Sequence, residues 1–133
     1  MEILIFAETD DKGNLKKDAY EIASYASEIS SENGGSVNAL CFNASNAESL
    51  SDYGVNKIIN SKNEELKNFD PSNYSKCITE VFNNEECNLL LLSSSSNSKH
   101  LGGILSVLTD ASYVTNVISK LSNGEKMTVI RNT

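Results

Sequence analysis

The chain has 133 residues, the size of one ordinary domain, and its 39% hydrophobic and 22% charged residues exclude a disordered or fibrous polypeptide. A formal net charge of -7 repels nucleic acid and anionic membrane, both of which attract clustered Lys and Arg. No stretch approaches the ~20 apolar residues that cross a bilayer, so membrane insertion is excluded as well.

Met1 leads straight into Ile3-Leu4-Ile5-Phe6-Ala7 with no basic region ahead of it, which sets the expectation of a cytoplasmic protein without an export signal. The apolar run Glu2 to Glu8 reads as the first strand. After the turn-rich Thr9-Asp10-Asp11-Lys12-Gly13-Asn14 comes a helix, with Ala19, Ile22, Ala23, Ala26 and Ile29 at three- and four-residue spacing on one face. Asn33-Gly34-Gly35 ends it, because glycine accepts the left-handed conformation a helix C-terminus needs. Val37 to Phe42 is a second strand. A short helical segment with Ala47, Leu50 and Tyr53 stops at Gly54, and Val55 to Asn60 is a third strand placed toward a sheet edge.

Asp70-Pro71 predicts a helix start, with Asp70 capping free N–H groups and Pro71 in the first helical position; Tyr74, Cys77, Ile78, Val81 and Phe82 form its apolar stripe. Leu89 to Leu92, apolar on both faces, reads as a strand in the middle of the sheet. A serine-rich loop, Ser93 to Ser98, precedes a helix whose stripe is Leu101, Ile104, Leu105 and Leu108. Tyr113 to Ile118 and Met127 to Asn132 read as strands joined by a turn at Ser122-Asn123-Gly124. Strands alternating with helices predict an α/β domain, three layers deep, with a mostly parallel central sheet. The whole of 1–133 is read as one such domain. The last strand stops close to Thr133, which sets the expectation that the natural polypeptide continues and that this strand presents an unpaired edge.

Chemistry on an open parallel sheet gathers at the carboxyl ends of the strands. The loop after the first strand carries Glu8, Asp10 and Asp11, which repel a phosphate, and it lacks the glycine spacing of a dinucleotide site. Glu8 is a general-base candidate there; the plainer reading is a solvated strand-end residue. In the serine loop, Ser94, Ser95 and Lys99 are candidates for holding an anion at a helix N-terminus, against helix capping and partner contact as the other readings. His100, the only histidine, would have to serve any Ser-His-Asp or Cys-His mechanism, yet no G-x-S-x-G elbow surrounds the serines, and a lone His in a first helical turn reads as a surface residue. Cys41, Cys77 and Cys87 are odd in number, lack metal-like spacing and read as reduced, structural thiols; no metal and no catalytic residue is expected. Tyr25, off the apolar stripe of its helix, is a candidate partner contact.

The opening Ile3-Leu4-Ile5-Phe6-Ala7-Glu8, the segment Tyr53-Gly54-Val55-Asn56-Lys57-Ile58, the strand and loop Leu89 to Ser98, the stretch Ser98 to Ala111, and Tyr113 to Ile118 together resemble the N-terminal half of the electron transfer flavoprotein alpha subunit. The resemblance covers essentially the whole chain. It implies a nucleotide-binding-like fold similar to the adenine nucleotide alpha hydrolases, and a heterodimer with a beta subunit that passes electrons from acyl-CoA or other flavin dehydrogenases to a downstream acceptor. It further implies that FAD belongs to a C-terminal domain, so no cofactor is expected within 1–133 and no cofactor-binding position is transferred. The sequence departs from many members in having Gly103 and Ile104 where they have Pro-Arg, and no charge contact is carried over to that spot. On this reading the domain is a scaffold for subunit docking, not an enzyme. The alternative is a free-standing nucleotide-binding protein of the universal stress protein type, using Ser93 to Lys99 as its phosphate cradle.

Overall fold

The computed structural model describes residues 2–93, 101, 104–105, 112–118 and 126–131. Strand β1, Glu2–Phe6, sets the layers through the period-two alternation of its side chains. Ile3 and Ile5 enter one buried cluster and Leu4 and Phe6 another, on opposite faces of the sheet. On the first face lies α1, Lys17–Asn33, which presents Ala19, Ile22, Ala23 and Ala26 to the sheet, three of them small enough to let the helix sit close. On the second face lie α2, Pro71–Asn84, through Ile78 and Phe82, and helical residues Leu101 and Leu105.

The remaining strands are β2, Ser36–Phe42; β3, Lys57–Ser61; β4, Leu89–Leu92; β5, Ser112–Ile118; and β6, Lys126–Arg131. They form one sheet in the order β3-β2-β1-β4-β6-β5. The four strands from β3 to β4 run parallel, and β6 pairs antiparallel with both β4 and β5. This is the three-layer α/β/α arrangement, mostly parallel, that the sequence predicts. β3 takes the edge position, and β4 sits inside the sheet with all four leucines buried.

The helix ends follow the predicted chemistry. Asp70 accepts hydrogen bonds from the N–H groups of Ser72 and Asn73, Gly34 follows α1 at φ 75°, and Gly54 ends the segment Ala47–Tyr53 at φ 90°. That segment is a 3₁₀ helix. Several expectations need correction. The last strand does not present an unpaired edge, because β6 is inserted between β4 and β5; β5 is the edge. Ile104 does not join the buried stripe and is 39% exposed, whereas Leu101 and Leu105 are fully covered. Tyr25 lies off the buried stripe, half-buried against the edge of the core cluster under α1. The turn at residues 122–124 and Leu108 lie outside the described residues. Among the described residues, no helix is long and apolar enough to cross a membrane.

Candidate functional site

β1 is followed by α1, which crosses to β2 on one side, while β4 lies on the other side of β1. The loops after β1 and β4 therefore diverge at their carboxyl ends, the place where open α/β sheets hold ligands. Ala7, Glu8 and Thr9 come from the first loop and Ser93, 3% exposed, from the second.

The first loop folds back on itself. The Asp10 carboxylate accepts from the Lys12 and Asn14 N–H groups at 2.9 and 3.0 Å, the Gly13 N–H donates to the Asp10 carbonyl, and Thr9 bridges antiparallel to Leu15. Asp10 is thus committed to a side-chain turn, the local role for which Asp is favoured. Gly13 is held at φ 84°, and a Cβ there would stand 3.1 Å from the Asn43 carbonyl. The turn returns Lys16 to Glu8: the Lys16 N–H donates to the Glu8 carbonyl at 3.0 Å, and Nζ reaches Oε2 at 3.3 Å. Glu8 is only 6% exposed, so the expectation of a solvated strand end is overturned. The extended run beyond Phe6 carries the carboxylate under the loop, and a lysine eight residues later meets it there.

Beneath this pair lies an aromatic floor. Phe6 and Phe42 have ring centroids 5.1 Å apart, and Tyr74 of α2 stands edge-on to them at 5.8 and 4.7 Å. Phe69 adds a fourth ring 5.1 Å from Tyr74, whose hydroxyl donates to the Leu66 carbonyl at 2.9 Å. Burial, and secondarily the Glu8 carboxylate, push the Tyr74 phenol above its ordinary range. On the β3 side, Asn43 and Asn63 exchange two 2.9 Å bonds between side-chain amide and backbone, and Asn60 does the same with Ala44 at 2.8 and 3.0 Å. Each amide stands in for a peptide group and prolongs the β2–β3 ladder past its last residues. Sequence reasoning missed Lys16, Tyr74 as a hub and these asparagines; the signals were a lysine just before the helix opened by Lys17, and asparagines gathered where β2 and β3 end.

The small pocket among Phe6, Ala7, Glu8, Thr9, Phe42 and Tyr74 is ≈ 20 Å³, room for about one water. A wider open cleft of ≈ 570 Å³ runs beside it, walled by Asp10, Asp11 and Lys12 on one side and by Leu66, Lys67 and Asn68 on the other. Neither resembles a site for a dinucleotide such as the FAD that the resemblance implies: the first is too small for a ring system, and the second is lined by Asp10 and Asp11 as well as Lys12 and Lys67, with no glycine-rich helix N-terminus among its lining residues to cradle a diphosphate. No step through a flavin is derived from these residues. Of the thiols, burial pushes Cys41 up to about 11 and, with Glu2 and Glu85 adding to it, Cys87 up to about 12, which leaves neither a nucleophile at neutral pH. Among the described residues no group of three or more His, Cys, Asp or Glu is placed to hold a metal. Ser94, Ser95, Lys99 and His100 lie outside the described residues.

What this arrangement can do chemically is hold its own backbone still. The Glu8 and Asp10 carboxylates and the Asn43 and Asn60 amides are bonded to their own or neighbouring loops, and the result is a cross-braced sheet end presenting a polar, mixed-charge surface. Compared with known proteins, residues 3–133 match the family model described as electron transfer flavoprotein domain. No curated protein matches the chain.

Proposed function

Because the chain belongs to the electron transfer flavoprotein domain family, a family of flavin-associated electron carriers rather than classical enzymes, we propose that it is the scaffold and subunit-docking domain of a heterodimeric carrier. It corresponds to the N-terminal domain of the alpha subunit. Residues 1–133 supply shape and contact surface, and FAD is held by polypeptide outside them. The complete carrier takes electrons from acyl-CoA or other flavin dehydrogenases and works in the cytoplasm.

The observation that carries this reading is the family match over residues 3–133, which spans all but the first residue of the described sheet. The self-bonded strand ends agree with it. Glu8, Asp10, Asn43 and Asn63 satisfy one another or their own loops, which suits a docking face more than a ligand pocket. A net charge of -7 would steer a basic partner surface and fix its orientation.

The test is direct. The purified 133-residue chain is mixed with the beta subunit from the same genome and followed by light scattering after gel filtration. A one-to-one complex and a colourless chain alone are the expected results. A stoichiometric yellow cofactor on the chain alone, or no complex with the beta subunit, would overturn the proposal. Micromolar ATP binding lost in Lys99→Ala would favour the universal stress protein reading in its place.

A further inference from the structure

The geometry points to Asn33 as a site of spontaneous deamidation, an age-dependent modification that loosens the end of α1. Asn33 is the last residue of the helix and is followed by Gly34, so no Cβ hinders approach of the next backbone nitrogen to the side-chain amide. All five residues from Ser31 to Gly35 are exposed. Nothing lies within 4 Å of the place a Cβ on Gly34 would occupy, and Gly34 and Gly35 both have positive φ, 75° and 107°. The terminal turn of a helix opens at low cost. Here it has no basic side chain to complement the negative end of the helix dipole, while Glu28 and Glu32 add like charge nearby.

When the turn opens, the Gly34 nitrogen gives its proton to water and attacks Asn33 Cγ. A C–N bond forms, the C–NH₂ bond breaks, and ammonia leaves with a proton from solvent. The five-membered imide that results takes up one water at either carbonyl, giving aspartate or isoaspartate. Amide plus water has become carboxylate plus ammonium, with no oxidant required. The product changes α1 in two ways. The Nδ2 donor that bonds the Ile29 carbonyl at 2.9 Å is lost, and a new negative charge sits at the wrong end of the dipole. The Ser30 hydroxyl to Gly35 carbonyl bond, 3.0 Å, spans the same turn and loosens with it.

An internal control is built in. Asn60 is followed by the small Ser61, but its amide is held on both sides by Ala44 within the sheet, so it should resist. The experiment ages the full chain at mildly alkaline pH and maps peptides by mass spectrometry with isoaspartate-specific methylation. Acid should accumulate at position 33 severalfold faster than at position 60, and Asn33→Gln should abolish that accumulation with unchanged melting temperature. Asn33→Asp should melt lower and speed amide exchange in the last turn of α1. The inference is overturned if position 33 keeps its amide while a free peptide spanning Glu28 to Val37 converts, or if it converts no faster than Asn60. An Asn33→Asp chain as stable as the parent would overturn the loosening.

Discussion

Replacing Lys16 with methionine removes the cation beside a carboxylate that is 6% exposed, while keeping the backbone bond from Lys16 to Glu8 and most of the aliphatic stem. At the observed 3.3 Å, and with the effective dielectric of about 20 that suits protein sites, the gross attraction is about 5 kcal/mol. Two effects shrink it. Glu8 has given up most of its hydration, and the Lys16 side chain is 40% exposed, so solvent screens its half of the pair. A net loss of about 1–3 kcal/mol is therefore expected for Lys16→Met. Glu8→Gln removes the buried charge together with the need to balance it and should cost less, within about 1 kcal/mol. Urea unfolding is the assay, with the slope expected to stay constant so that midpoint shifts report stability. The double variant should lose less than the sum of the singles, with a coupling of about 1 kcal/mol. A Lys16→Met midpoint equal to the parent's, or strictly additive losses, would refute the view that this pair secures the loop after β1.

Gly54→Ala meets both a positive φ of 90° and the Ser27 side chain, whose Cβ would lie 2.7 Å away, and should cost about 2–4 kcal/mol; Gly34→Ala, in open space but at φ 75° and ψ 164°, should cost about 1–3 kcal/mol from backbone strain alone, and thermal unfolding checks both. In native thiol labelling, half-buried Cys77 should react first and Cys41 and Cys87 only on unfolding; equal rates would contradict the packing. The Ser36 hydroxyl, bonded to Glu2 at 2.6 Å, holds the Glu2 carboxyl below its ordinary range. A depressed folded-state value stabilises the chain above the ordinary carboxylate range, and that contribution is lost as pH falls through the folded value. Ser36→Ala should therefore flatten the acid limb of a stability profile between about pH 5 and pH 2.

The layers of the fold were legible because burial writes a period into the sequence. Alternation in Ile3 to Phe6 and the three- and four-residue spacing from Ala19 to Ala26 translate directly into which face meets which helix. Caps were legible for the same local reason: Asp70-Pro71 and Gly54 act within a few residues of themselves. The candidate site was much less so. Whether Glu8 is wet or buried depends on the loop that brings Lys16 back over it, and the pairing of Asn43 with Asn63 depends on β2 lying beside β3. Insertion of β6 beside β4 was hidden too, since apolar period marks a strand but says nothing of its direction or neighbour.

Stiffening at the strand ends bears on docking through entropy. A surface that orders only when a partner arrives spends binding energy on fixing its own side chains and loops, roughly 0.5–1.5 kcal/mol for each long side chain immobilised. Around the carboxyl ends of β1 and β2 that cost has already been met in folding: Asp10 holds its turn, Lys16 spans to Glu8, and Asn43 and Asn63 clasp two loops that would otherwise move independently. A partner meeting this face should find it in the same shape free or bound. If so, a variant that opens the clasp, such as Asn43→Ala, which removes the side chain making both bonds to the Asn63 backbone, should weaken association with the beta subunit mainly through faster dissociation. An Asn43→Ala chain that binds as tightly as the parent would place the docking face elsewhere on the domain.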